Sequence, residues 1–207
     1  MNRMDVKEPD YHAVRYFIAN KKREFLRKPK EELSMAKILI AFFSRADENY
    51  FSGSMRCVKV GNTEIAVGQI RELIDADVFK IEMKQPYSKD YMTCIDEAKK
   101  DLQRKTRPEL VSLPESIDGF DTVILAYPNY WGTMPMAVYT FLEAFDFTGK
   151  TILPLCTHEG SGMGGSEREI KKTCPGAELK KGLLITGSSV SSAKPAIENW
   201  LKQNGLL

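Results

Sequence analysis

The stretch Lys37-Ile-Leu-Ile-Ala-Phe-Phe-Ser-Arg45 begins with an almost continuous apolar run and ends in polar residues. Such a run is typical of a central parallel strand that is covered on both faces of a sheet. Further along, Gly61-Asn62-Thr63 precedes a segment with helical apolar spacing over residues 64–76. A strand, a polar loop and a helix amino terminus together can hold a phosphate, because unpaired N–H groups and the helix dipole converge there. An ordinary strand-to-helix turn is the alternative interpretation.

The rest of the chain continues this alternation of strand and helix. Four further strands are predicted, over residues 78–83, 122–127, 151–156 and 181–186. Further helices are predicted over residues 90–104 and after Pro135, Ser166 and Ser192. Ser166 with Glu169 fits a capping box, and Ser192 is a candidate N-cap. Five strands alternating with five helices indicate an α/β protein with a parallel sheet covered on both faces.

Composition and missing motifs exclude several classes of protein. The chain has no GxGxxG after the first strand and no GxxxxGK[ST], which argues against a dinucleotide fold and a P-loop NTPase. A net charge of +2 without a basic, aromatic-rich stripe gives no case for nucleic acid. No apolar stretch is long enough for a membrane span, and the amino terminus lacks a secretory signal, so a cytoplasmic protein is expected. The four cysteines have no metal-site or CxxC spacing and predict free thiols.

The amino-terminal part differs from the remainder in charge. Residues 1–34 contain nine Lys or Arg and six Asp or Glu, a balance of +3, whereas residues 35–207 balance at −1. Apolar residues near helical spacing within 8–33 predict an amphipathic helix. The sequence therefore predicts a helical extension over 1–34 and a main domain over 36–207. This helix has three alternative roles. It packs on its own domain, on the second subunit of a homodimer, or on a membrane surface.

Three polar loops are expected to meet at one edge of the sheet. They are residues 44–63, 127–135 and 157–165, and each follows a predicted strand. In an open parallel sheet, ligands bind beyond the carboxyl ends of the strands where the strand order reverses. The first loop offers phosphate donors, the second offers Tyr130 and Trp131 for stacking, and the third offers glycine-rich backbone N–H groups. This composition suits a flat, polar-edged ring that carries a phosphate tail.

The stretches Tyr127-Pro-Asn-Tyr-Trp-Gly-Thr-Met-Pro135 and Thr157-His-Glu-Gly-Ser-Gly-Met-Gly164 resemble the flavodoxin-like family of FMN-binding proteins. The resemblance covers residues 36–207. It implies a three-layer α/β sandwich with a five-stranded parallel sheet in the order 2-1-3-4-5, non-covalently bound FMN, and redox chemistry at the flavin. It implies neither a metal nor a catalytic side chain.

The same resemblance assigns candidate cofactor-binding residues by position. Those that would hold the phosphate are Ser44, Arg45, Asn62 and Thr63. Those that would form the wall beside the ring are Pro128, Asn129, Tyr130 and Trp131. Those that would line the pyrimidine edge are Thr157, His158, Glu159, Gly160, Ser161 and Gly164. His158 is expected to donate to the ring, and Glu159 is expected to point away from it, because a negative charge there would disfavour reduced flavin.

The first loop departs from the compact phosphate loop of the family. Residues 45–60 form an insertion between Ser44 and Gly61, with a predicted turn at 49–53 and an extended arm at 55–60. Long loops in compact domains are often functional, and this one is expected to wall or cover the ligand.

Two functions remain open at this stage. One is an electron carrier between redox partner proteins, and the other is an enzyme that takes hydride from NAD(P)H and reduces a quinone or nitro compound. Carriers often dock through strongly acidic surfaces, and the near-neutral charge of 35–207 weakens that alternative. No nicotinamide-binding motif is visible in the sequence, which counts against the NAD(P)H-dependent enzyme.

Overall fold

The computed structural model describes residues 37–207, so the helix predicted within 1–34 lies outside the described residues. The strands are β1 (Ile38–Phe42), β2 (Asp47–Phe51), β3 (Ser54–Val58), β4 (Asp77–Lys80), β5 (Thr122–Pro128), β6 (Thr151–His158), β7 (Glu178–Leu179) and β8 (Leu183–Thr186). The α-helices are α1 (Asn62–Arg71), α2 (Tyr91–Arg104), α3 (Met136–Glu143), α4 (Ser166–Thr173) and α5 (Lys194–Gln203). A 3₁₀ helix spans Gly187–Ser192.

The main sheet is parallel and has the predicted order. β4, β1, β5 and β6 are neighbours, and every pairing between them is parallel. The last position is shared by two short strands, because β7 and β8 both pair with β6 at different points along its length. The order 2-1-3-4-5 is therefore confirmed, with the fifth strand divided in two.

Helices cover both faces of this sheet. One face packs against α1 and α5 through a cluster that includes Ile70, Ile197 and Trp200. The other face packs against α3 and α4 through a cluster that includes Phe141 and Ile170. β1 is apolar throughout and β5 is apolar from Val123 to Ala126, as expected for strands with both faces buried. The predicted three-layer sandwich is confirmed. Among the described residues, no helix has the length and apolarity needed to cross a membrane.

The insertion folds as an antiparallel hairpin, β2 and β3, hereafter the 47–58 hairpin. Ser52 and Gly53 form its two-residue turn, both with positive φ, as a type I′ hairpin turn requires. The turn predicted at 49–53 is confirmed only at Ser52 and Gly53, because residues 49–51 belong to β2. Within the arm predicted at 55–60, residues 55–58 pair with residues 47–50.

Two predicted helix caps are wrong. Gly165 precedes α4, and the Ser166 hydroxyl donates to the Met163 carbonyl and accepts from the Tyr127 hydroxyl instead of capping the helix. Ser192 closes the 3₁₀ helix, and Ala193 occupies the position before α5. In both cases the serine hydroxyl bonds to a partner that the local sequence pattern does not include.

Candidate functional site

The three predicted loops meet at the carboxyl edge of the sheet and enclose a cleft of about 400 Å³. All the candidate residues line this cleft except Gly160 and Gly164. The residues contributed by the first loop and α1 are Ser44, Arg45, Asn49, Tyr50, Asn62 and Thr63. Those contributed by the loops after β5 and β6 are Pro128, Asn129, Tyr130, Trp131, Gly132, Thr157, His158, Glu159 and Ser161. The structure therefore brings twelve of the fourteen candidate residues together in one cleft, and their contact with a cofactor stays a prediction.

One end of the cleft is built by the close approach of Gly61 to the end of β1. A Cβ at Gly61 would lie 2.3 Å from the Arg45 carbonyl oxygen and 2.4 Å from Ser44 Oγ, so this position accepts only glycine without a shift. Ser44 Oγ in turn accepts a hydrogen bond of 3.1 Å from the backbone N–H of Glu64 in the first turn of α1. The loop and the helix amino terminus are thereby held against each other, and the Ser44 hydroxyl proton remains available to a ligand.

The amino terminus of α1 offers donors of the kind that bind a phosphate. The backbone N–H groups of Asn62 and Thr63 begin the helix and have no partner inside it, and the helix dipole adds partial positive charge. The Thr63 hydroxyl is buried and lies 2.8 Å from that of Thr157, at the end of β6. This pair joins the first and third loops and leaves one hydroxyl proton of the two free to donate.

Arg45 lines the cleft, but its guanidinium is already bonded to the protein. Nη2 donates to the carbonyls of Ser88 and Lys89, each at 2.7 Å, and Nη1 donates to the carbonyl of Glu48. These contacts fasten the 47–58 hairpin to the loop before α2. Direct phosphate binding by Arg45 stays a prediction, and its visible role is to fix the first loop.

The second loop makes a tight reverse turn that carries Trp131 at its tip. Tyr130 and Thr133 exchange backbone hydrogen bonds of 2.8 and 3.1 Å, and Trp131 and Gly132 between them have φ values of 53° and 79°. A bulky residue with positive φ is strained, by about 1–2 kcal/mol for the left-handed region. Strain of this kind clusters at functional sites because the surrounding structure must maintain it.

The two aromatic residues of this loop have different surroundings. The Trp131 indole is 46% exposed, its Nε1 donates to the Ile95 carbonyl at 2.7 Å, and Lys99 Nζ lies 4.8 Å from its ring centre. Tyr130 packs edge-on against Phe43, with ring centres 6.1 Å apart, and burial raises the pKa of its hydroxyl. Trp131 is therefore the exposed aromatic surface of the cleft, and Tyr130 supports the wall from inside.

Asn129 and Gly164 join the second loop to the third. Asn129 Nδ2 donates to the Gly162 carbonyl at 2.8 Å, and its Oδ1 accepts from the Gly132 N–H at 2.9 Å. A Cβ at Gly164 would lie 2.2 Å from the Gly132 carbonyl oxygen, so at this point the two loops meet backbone to backbone. Gly164 was predicted to line the ring edge, whereas the structure places it behind the cleft wall.

His158 and Glu159 are both anchored by backbone N–H groups. The Gly160 N–H donates to His158 Nδ1 at 2.9 Å, which places the proton of a neutral imidazole on Nε2. Nε2 is thus a donor in a residue that lines the cleft. The Glu159 carboxylate accepts from the N–H groups of Ser52 and Ser188, although Glu159 also lines the cleft. That it points away from the ring stays a prediction.

One wall of the cleft was predicted only in part, because the insertion was expected to wall the ligand but the helix α2 was not. This wall combines the 47–58 hairpin with one face of α2, and its residues are Asn49, Tyr50, Tyr91, Cys94, Ile95 and Ala98. Tyr50 and Tyr91 stack with ring centres 6.4 Å apart. On α2, Tyr91, Ile95 and Ala98 recur at helical spacing, and such a stripe looks the same whether it covers a core or a ligand. Gly187, after β8, was also missed.

The donors present fit FMN. Free amides and hydroxyls at α1 match a phosphate, the aromatic surfaces of the second loop match a flat ring, and His158 Nε2 matches a polar ring edge. The fold and the cleft therefore define a three-layer α/β protein with a mononucleotide-sized site at the carboxyl edge of its sheet.

The family follows from comparison with known proteins. The flavodoxin family model matches residues 37–204, and the chain belongs to this family. No curated protein matches the sequence. A structure of a candidate flavoprotein from Bacteroides eggerthii is 28% identical with a TM-score of 0.67, covering 83% of this chain and 99% of that one.

Two further solved structures share the fold. A candidate flavoprotein from Bacteroides uniformis is 26% identical with a TM-score of 0.66, covering 81% of this chain and 98% of that one. A flavoprotein from Lactobacillus acidophilus, solved in complex with FMN, is 15% identical with a TM-score of 0.52, covering 76% of this chain and 97% of that one. The last likeness is one of fold alone.

Proposed function

We propose that this protein binds FMN non-covalently in the cleft and transfers electrons through it. The observation that carries the proposal is the convergence of the free amides of α1 with the loops after β5 and β6 in one cleft. The FMN complex of the Lactobacillus acidophilus flavoprotein adds support. FMN, when bound, supplies the redox chemistry, and the protein supplies binding, orientation and electrostatics.

The side chains of the cleft have separate tasks under this proposal. The backbone N–H groups of Asn62 and Thr63 and the side-chain hydroxyl of Ser44 bind the phosphate. Trp131 covers the ring, and its half-exposed indole leaves the edge of the site open to a redox partner protein. His158 Nε2–H donates to the ring edge where negative charge develops, which favours the reduced state as a positioned donor favours an oxyanion.

A second candidate function is NAD(P)H-dependent reduction of a small acceptor such as a quinone or nitro compound. The observation that favours it is the wall formed by Tyr50, Tyr91, Ile95 and Ala98, which gives the cleft an apolar side away from the phosphate end. Flat aromatic surfaces of this kind suit a planar ligand. This wall belongs to the 47–58 hairpin and α2, so it is built in part by the insertion that the compact phosphate loop lacks.

Anaerobic mixing of the FMN-loaded protein with NADH or NADPH tests the two functions against each other. For an electron carrier we expect neither nucleotide to bleach the oxidised-flavin absorbance within minutes, whereas dithionite bleaches it and added cytochrome c restores it. Rapid bleaching by either nucleotide would contradict the carrier function and support the reductase. Free FMN mixed with the same nucleotide is the control for the uncatalysed reaction.

A further inference from the structure

The 47–58 hairpin is attached to the domain at two separate places. At its base, Glu48 Oε2 accepts from the Tyr91 N–H at 2.9 Å, the Glu48 N–H donates to the Lys89 carbonyl at 3.3 Å, and Arg45 bonds to Ser88 and Lys89. Many bonds therefore hold the base to the loop before α2. A hairpin that is fixed at its base can open only by moving its tip.

Two contacts hold the tip, Ser52-Gly53, and one of them is with a carboxylate of the third loop. The Ser52 N–H donates to Glu159 Oε2 at 3.3 Å, and the Ser188 N–H donates to Oε1 of the same carboxylate. The hydroxyls of Ser52 and Ser188 lie 3.4 Å apart. Glu159 therefore bridges the tip to the start of the 3₁₀ helix. Phe51, the residue before the tip, is buried, with 8% of its surface exposed.

This bridge lies next to the phosphate end of the cleft. A Cβ at Gly187 would lie 2.3 Å from Asn62 Nδ2 and 2.8 Å from Glu159 Oε1, so both side chains converge on the same glycine. Asn62 is the first residue of α1. The carboxylate that holds the hairpin tip is thus a neighbour of the amides that would bind the phosphate.

We propose that Glu159 is a positioning residue that keeps the hairpin tip closed over the phosphate end of the cleft and so slows the exchange of FMN. The proposal rests on the proposed FMN site. Glu159 acts through Ser52 and the hairpin, because its carboxylate accepts from the Ser52 and Ser188 N–H groups. Its loss removes the charged acceptor at the tip and leaves only the 3.4 Å contact between the Ser52 and Ser188 hydroxyls, while the base stays bonded. The weakened tip gives the cofactor a route in and out without unfolding of the domain.

The variant Glu159→Ala tests the proposal by two measurements. In the FMN-free protein, we expect amide hydrogen exchange over residues 51–58 to rise about tenfold or more, because hydrogen bonds to a charged group hold the tip. In the loaded protein, we expect FMN dissociation to accelerate by a similar factor. Glu159→Gln keeps one carbonyl acceptor, so its exchange rates and FMN release should fall between those of the unchanged protein and those of Glu159→Ala.

Glu167→Ala is the matched control. Its carboxylate also accepts from a backbone N–H, that of Gly182 at 3.0 Å, but Glu167 does not line the cleft. We expect this variant to leave both measurements at the level of the unchanged protein. Unchanged exchange over 51–58 and unchanged FMN release in Glu159→Ala would overturn the proposal.

A disulfide across the tip adds a rescue test. In a Cys57→Ser background, which removes the exposed native thiol, Ser52→Cys and Ser188→Cys are combined with Glu159→Ala. Oxidation should restore slow FMN release, and reductant should abolish the effect; rapid release from the oxidised protein would contradict a role of the tip. If the unchanged protein bound no FMN, the proposed function would fail, whereas exchange over 51–58 would still test the bridge.

Discussion

Replacing Gly61 with alanine should weaken FMN binding about a hundredfold or more. The added Cβ would lie 2.3 Å from the Arg45 carbonyl oxygen and 2.4 Å from Ser44 Oγ, so the loop must move away from the amino terminus of α1. That movement separates the Ser44 hydroxyl from the amides of Asn62 and Thr63. Losing two hydrogen bonds to a charged group, at about 1.5–3 kcal/mol each, corresponds to an effect of at least this size. Fluorescence titration of the FMN-free protein measures it.

Gly68→Ala is the control for this substitution. Gly68 lies in the same helix, and a Cβ there would meet nothing within 4 Å. Alanine is favoured over glycine in a helix by about 1 kcal/mol, so this variant should be slightly more stable and bind FMN normally. Equal FMN affinity in Gly61→Ala and Gly68→Ala would show that the phosphate does not bind at the end of α1.

Replacing Trp131 with glycine should lower FMN affinity about tenfold while leaving the stability of the FMN-free protein within about 1 kcal/mol. Loss of ring stacking worth about 1–3 kcal/mol accounts for the first effect, by analogy with base stacking on aromatic side chains. Stability changes little because glycine relieves the positive φ of 53°, which offsets loss of the bond to Ile95 and the contact with Lys99. Titration with FMN and thermal unfolding of the FMN-free protein measure the two effects.

Lys99→Met separates the indole from its neighbour on the rim. This change removes the cation beside Trp131 but keeps the indole, and Lys99 itself does not line the cleft. We expect its FMN affinity to stay close to that of the unchanged protein. If Trp131→Gly kept full FMN affinity, the indole would be a structural part of the turn and not a surface for the ring.

The sequence predicted the sheet and the position of the cleft because both depend on local patterns. The continuous apolar runs of β1 and β5 can be satisfied only in a sheet buried on both faces, and loops that follow parallel strands share one edge. The pattern Pro128-Asn-Tyr-Trp-Gly132 marked the end of β5 and the loop that follows it, whereas the positive φ of Trp131 and Gly132 was not predicted.

The contacts across the cleft could not be predicted in the same way. Asn129 bonds to Gly162 and Glu159 bonds to Ser52, pairs that are 33 and 107 residues apart. Nothing in the local sequence states which of several polar groups a side chain will meet. The apolar face of α2 shows a related limit, because Ile95 and Ala98 have helical core spacing and yet line the cleft.

Identification of the bound cofactor tests the central claim most directly. The purified protein should be yellow, and denaturation should release FMN and no FAD. The FMN-free protein should then rebind one FMN per chain, and Gly61→Ala should lose this binding while Gly68→Ala retains it. A colourless protein that leaves the fluorescence of added FMN unchanged would contradict the account.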